Sequence, residues 1–174
     1  MHKNRKQPTE NAPASVTIEQ LIQQHYEVLY RYAFRLTGRH SDAEDLTQQC
    51  FLTAHRKLNQ LREVGAARGW LFQILRTAFL KLVRKKRPHN EIDTELPMQE
   101  LPEVKSECPF DLEHLQQRLN ELPEAYRVAL LMFYFEGKSY EEIAAATNVA
   151  LGTVMSRLSR AKAHLRTRLR PIEA

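Results

Sequence analysis

The sequence predicts an all-α fold: two small helical domains joined by an acidic, proline-rich linker. Three observations carry this. Helix formers dominate the 174 residues, glycines number only five, and Val, Ile and Tyr never alternate over a strand's length. Residues 88–110, PHNEIDTELPMQELPEVKSECPF, hold four prolines and six carboxylates against a single lysine. Proline at that density forbids a continuous helix, so the segment reads as an extended linker. On either side, at about 16–87 and 111–174, apolar residues recur at helical spacing behind N-terminal capping signals.

The elements follow in order. Residues 1–15 are polar and basic and read as a disordered arm. Thr17 and Gln20 form a capping box that opens a helix running to Gly38, a suitable C-terminal stop. Ser41 and Glu44 form a second box, opening SDAEDLTQQCFLTAHRKL. A loop at about Asn59–Ala67 precedes RGWLFQILRTAFLKLVRKKR, whose stripe is Leu71, Ile74, Leu75, Ala78 and Leu82. Beyond the linker, DLEHLQQRLNEL leads to Pro123, which suits the first turn of PEAYRVALLMFYFE. Gly137 ends that helix, and Ser139 with Glu142 makes a third capping box. Each block is small, so its helices are expected to share one modest core.

The bulk chemistry excludes several classes. Net charge is +5 and the pI about 9.3, which suits an anionic partner. No apolar run approaches a membrane span, and the N-terminus lacks the apolar core of a secretory signal. Cys50 and Cys108 lie far apart with no C-x-x-C, so neither a zinc site nor a disulfide framework is expected. A reducing cytoplasm is the default setting. The seven histidines form no H-E-x-x-H, and there is no glycine-rich phosphate loop or nucleophile elbow. The reading is therefore of a non-enzyme without cofactors.

Residues 139–161, SYEEIAAATNVALGTVMSRLSRA, write two helices joined by a tight turn. On a wheel, Val154, Leu158, Ala161, Leu165 and Leu169 of the second helix fall together as a core stripe. Met155, Ser156, Ser159 and Arg160 fall outward near its start, behind the small entry residues Gly152 and Thr153. Residues 151–170 carry six Lys or Arg and no carboxylate. A helix-turn-helix puts the start of its second helix in the major groove, where such outward side chains reach base edges. Arg157 lies at the edge of the stripe and suits a structural pair with Glu141 or Glu142.

Here a resemblance becomes specific. The run from Leu122 to Leu165, and above all G-T-V-x-S-R-L-x-R-A, resembles the fourth region of bacterial RNA polymerase sigma factors of the extracytoplasmic-function (ECF) group. The resemblance implies that this helix-turn-helix reads a −35 promoter element through Thr153, Met155, Ser156, Ser159 and Arg160. Met155 stands where Arg or Lys is frequent.

The first block is read in the same way. In the helix from Ser41, Ala43, Leu46, Cys50 and Ala54 make the core stripe, with Asp45, Gln48, Gln49, Leu52 and Arg56 opposite. An outward Leu52 is by itself ordinary. Yet DAEDLTQQCFL resembles the stretch with which sigma factors grip the clamp coiled coil of core polymerase. That likeness implies polymerase contacts by Asp45, Gln48, Gln49 and Leu52, with Gln49 in place of the commoner acid. The next helix carries Arg68, Arg76, Lys81, Arg84, Lys85, Lys86 and Arg87, interleaved with Trp70, Phe72 and Phe79. Cations with aromatics suit single-stranded nucleic acid, though Phe79 reads as core. The block resembles the second sigma region, which recognises and melts the −10 element. That implies −10 contacts by Trp70, Arg76, Thr77, Arg84, Lys85 and Arg87, and a flipped base held by the loop at Leu61–Arg68. Thr77 stands where the family often has Asn.

The resemblance thus implies an initiation factor, monomeric when free, whose partners are core RNA polymerase, promoter DNA and an inhibitory anti-sigma protein. The competing reading is a helix-turn-helix regulator that never associates with polymerase.

Overall fold

A computed structural model describes residues 16–86 and 112–168. The N-terminal arm, the linker, Arg87, Cys108 and Leu169 lie outside the described residues. Among those described there are seven α-helices and no strand: α1 (Ile18–Thr37), α2 (His40–Arg56), α3 (Ala67–Lys86), α4 (Leu112–Glu121), α5 (Glu124–Phe135), α6 (Tyr140–Thr147) and α7 (Leu151–Arg168). The loop between α2 and α3 contains two short 3-10 turns, Leu58–Gln60 and Val64–Ala66.

Two capping boxes form as expected. Thr17 accepts from the Gln20 amide while the Gln20 side chain accepts from the Thr17 amide. Ser139 and Glu142 repeat the arrangement at α6. The expected box at Ser41 does not form. The second helix begins two residues earlier than that box requires, at His40, and its cap Arg39 makes no side-chain bond. Tertiary partners explain the difference. His40 stacks on Phe34 at 4.5 Å between ring centroids, and its Nδ1 lies 2.7 Å from the Tyr30 hydroxyl. Those contacts from α1 hold His40 in the helix, so Ser41 is displaced from the cap position.

The α2 stripe is buried as read, with Thr47 and Phe51 added to Ala43, Leu46, Cys50 and Ala54. On α3 the stripe is rotated. Leu71 and Leu75 are fully buried, but Phe72 and Phe79 join them and Leu82 is exposed. Phe72 is therefore core, where it meets Tyr32 edge-on at 4.8 Å, and is not a free stacking platform. Cys50 is also core. Burial pushes its thiol up to about 12, so it stays a protonated thiol that donates to the Leu71 carbonyl.

The expectation of a separate core in each block needs correction. The buried apolar residues of both blocks join in one cluster, from Leu21 on α1 to Ala161 on α7. Helix α1 packs against α2 and α3 of the first block and against α4 and α5 of the second. Arg35 of α1 donates to Gln116 Oε1 at 2.9 Å and to the Leu112 carbonyl at 3.3 Å. Tyr32 meets Phe135 at 5.7 Å. The turn at Gly38 is part of the same seam. Its φ of +73° favours glycine, and a Cβ there would stand 2.3 Å from the Asn120 side chain. Asn120 cannot easily yield, because its Oδ1 accepts from Gln116 and Arg127.

Candidate functional site

The outer face of α2 is built by the burial of its inner face. With Ala43, Leu46, Cys50 and Ala54 held inside, the 3.6-residue repeat turns Asp45, Gln48, Gln49 and Leu52 to solvent. Leu52 is 54% exposed, an apolar side chain set among polar ones. Gln49 and Thr53 are tied to one another along the helix.

On α3 the candidates divide. Trp70 is half-buried, and Thr77, Arg84 and Lys85 are exposed. The Thr77 hydroxyl donates to the Gln73 carbonyl one turn back. Trp70, Gln73, Arg76 and Thr77 line one wall of a cleft of about 610 Å³, whose other wall includes Lys138 and Ala146. Arg76 is placed differently from the expectation of an outward, DNA-facing cation. Its Nη1 donates to both carboxylate oxygens of Glu136, at 2.5 and 2.6 Å, and the two side chains are only 6% and 2% exposed. Tyr32 donates to the same carboxylate at 2.7 Å. Burial first, and then the charge of Glu136, hold the Tyr32 phenol well above its ordinary value, so it remains a donor. Burial alone would lower Arg76, but the hydrogen bond and charge of Glu136 prevail and raise it. Neither Tyr32 nor Glu136 was marked out by its sequence. Tyr32 sits in an ordinary core stripe, and Glu136 is a single acid beside Gly137.

In the helix-turn-helix, Asn148 takes the left-handed conformation (φ 55°) and its amide closes α6 on the Ala144 carbonyl. Helix α7 starts three residues later. Val154, Leu158 and Ala161 are buried, while Met155, Ser156 and Ser159 are exposed. Thr153 is half-buried. Arg160 is less outward than the wheel implies: it is half-buried, with Nη1 3.5 Å from the Tyr126 hydroxyl of α5. Arg157 is half-buried at the stripe's edge, and Glu142 is engaged by Ser139 and Lys138. Among the described residues no three His, Cys, Asp or Glu side chains converge as a metal site would require.

A sequence family described as Sigma-70 region 2 matches residues 21–89, and one described as Sigma-70, region 4 matches residues 112–165. The ECF RNA polymerase sigma factor SigM of Mycobacterium tuberculosis is 34% identical over 151 residues, 84% of this chain and 74% of that one. The chain belongs to the ECF RNA polymerase sigma factors. SigE of Mycolicibacterium smegmatis is 37% identical over 161 residues, and there this sigma factor spans 60% of its relative's length. Its fold is shared with the sigma factor RpoE of Bartonella quintana, solved in complex with the anti-sigma factor NepR. The TM-score is 0.67 at 29% identity, covering 90% of this chain and 98% of that one. The α2 face and the α3 face thus lie within the region 2 match, and the turn and start of α7 within region 4.

Proposed function

We propose that this sigma factor docks on core RNA polymerase through the outer face of α2 and places the enzyme by reading two promoter elements. Asp45, Gln48, Gln49 and Leu52 grip the clamp coiled coil. The α3 face and the loop before it take the −10 strand, with Trp70 as the stacking platform and Arg84, Lys85 and Arg87 on phosphates. Thr153, Met155, Ser156, Ser159 and Arg160 face the −35 element. The sigma factor acts in the cytoplasm, carries out no catalysis of its own and takes an anti-sigma protein as inhibitor. The single observation that carries this reading is the outward Leu52, 54% exposed among Asp45, Gln48 and Gln49 on a helix whose other face is locked in the core. Its placement in the stretch that resembles the polymerase-gripping helix favours this reading over a regulator that never meets polymerase.

The −35 contacts divide by chemistry. A side chain bonded to a base edge discriminates by about 1–3 kcal/mol, whereas a phosphate contact is blind to sequence and weakens with salt. Met155 has no hydrogen-bond donor, and an apolar side chain there suits a thymine methyl. Arg160→Ala is expected to relax preference at one or two −35 positions with the salt dependence unchanged. Arg166 is exposed further along α7. Arg166→Ala is expected to weaken all promoters alike and to make the slope of log affinity against log salt shallower by about 1. Binding of holoenzyme to single-base promoter variants at two salt concentrations checks both. Equal weakening of every variant by Arg160→Ala would make Arg160 a phosphate contact.

A further inference from the structure

Glu136 is the first residue beyond α5, in the second block, yet among the described residues the side chains that donate to its carboxylate, Arg76 and Tyr32, belong to the first block. Arg76 of α3 and Tyr32 of α1 both donate to it, over sequence separations of 60 and 104 residues. Arg68 of α3 reaches the neighbouring Phe135 carbonyl at 3.5 Å. The cleft beside the ion pair brings Trp70, Gln73 and Thr77 opposite Lys138 and Ala146 of the second block. The α2 face, by contrast, is exposed in the same conformation.

We propose that Glu136 is an intramolecular latch: its carboxylate occupies Arg76 in place of a nucleic-acid phosphate and holds the free chain closed, with the α3 face turned to the second block and the polymerase face of α2 left open. The proposal rests on the reading of α3 as the −10 surface. It orders the events. The closed chain can engage polymerase and leaves Thr77, Arg84 and Lys85 exposed, whereas the −10 strand reaches Trp70 and Arg76 in full only after the blocks part. Parting returns Arg76 to solvent on the helix that carries Arg84 and Lys85, where DNA phosphates replace Glu136 as its counter-charge.

The physics makes the latch one-sided. A buried ion pair contributes little net stability, because desolvation offsets attraction, but removing one partner leaves an uncompensated buried charge. Buried inside one block, that charge would have no escape. Here the pair lies at the seam where the two blocks join their core, so separation of the blocks returns Arg76 to water. Apparent affinity for a ligand of the open state scales with the fraction open, so losing the latch raises it.

The test uses the full chain and its Glu136→Gln variant. Small-angle scattering reports compactness, and Trp70, the sole tryptophan, reports the cleft. Far-UV circular dichroism reports helix content, and a labelled oligo-dT strand probes single-stranded DNA binding. The wild type is expected to be compact. Glu136→Gln is expected to keep its helix content, gain radius of gyration and shift Trp70 emission to the red. It is also expected to bind oligo-dT more tightly, on the order of tenfold. Unchanged scattering and emission would overturn the latch, as would a wild type already extended. Opening without a gain in DNA affinity would support the latch and overturn the −10 reading of α3. If Glu136→Gln loses helix, Arg76→Glu combined with Glu136→Arg decides. A compact chain supports the ion pair as latch, and an extended or unfolded one overturns it.

Discussion

Asp45→Arg combined with Leu52→Glu is expected to abolish association with core polymerase and to leave the helical fold intact. Both side chains are exposed on α2, and the residues that anchor the helix, Ala43, Leu46, Cys50 and Ala54, are untouched. Surface changes away from core, caps and networks shift stability by only about 0.5 kcal/mol. Interface anchors behave differently. A central apolar residue with a charged neighbour costs about 2 kcal/mol or more for each truncation, and reversing charge adds repulsion. Two such losses together amount to about a thousandfold or more in affinity. Co-purification with core enzyme measures the effect, and circular dichroism confirms the fold. Recovery at the wild-type yield would remove α2 from the polymerase interface.

Leu158→Ala is expected to unfold the helix-turn-helix and with it to remove the proposed −35 binding. Leu158 is 1% exposed on α7, which packs against both α5 and α6. Leucine-to-alanine changes in cores cost about 2–5 kcal/mol, the cavity adding to the lost burial. A chain of this size has little stability in reserve. Met155→Ala, one turn away but 52% exposed, changes stability by no more than about 0.5 kcal/mol. Thermal unfolding followed by circular dichroism distinguishes the two. Equal melting temperatures for the two variants would contradict the assignment of Leu158 to the core.

What the sequence revealed was local. Thr17 with Gln20 and Ser139 with Glu142 formed their capping boxes because both partners lie within one helical turn. The outward set on α2 followed from a helical repeat against one buried side. Where distant partners decide, the sequence was silent. Ser41 lost its cap because aromatic residues of α1 claimed His40. Leu82 left the α3 stripe while Phe72 entered it to meet Tyr32. Arg76 read as one cation among seven on its helix. The acid that buries it lies 60 residues away beyond the linker, and no periodicity connects the two. The single core across both blocks has the same origin, since Tyr32 and Phe135 meet only once the chain is folded.

The proposed role of this sigma factor is to give core polymerase its promoter choice. The most direct measurement is transcription by purified core enzyme on genomic DNA fragments, with and without the chain, with the start sites mapped. Start sites are expected to appear only when the chain is present, each preceded by shared −10 and −35 sequences, and to vanish with Asp45→Arg and Leu52→Glu. The absence of chain-dependent start sites, with DNA bound equally well in the presence and absence of polymerase, would contradict it.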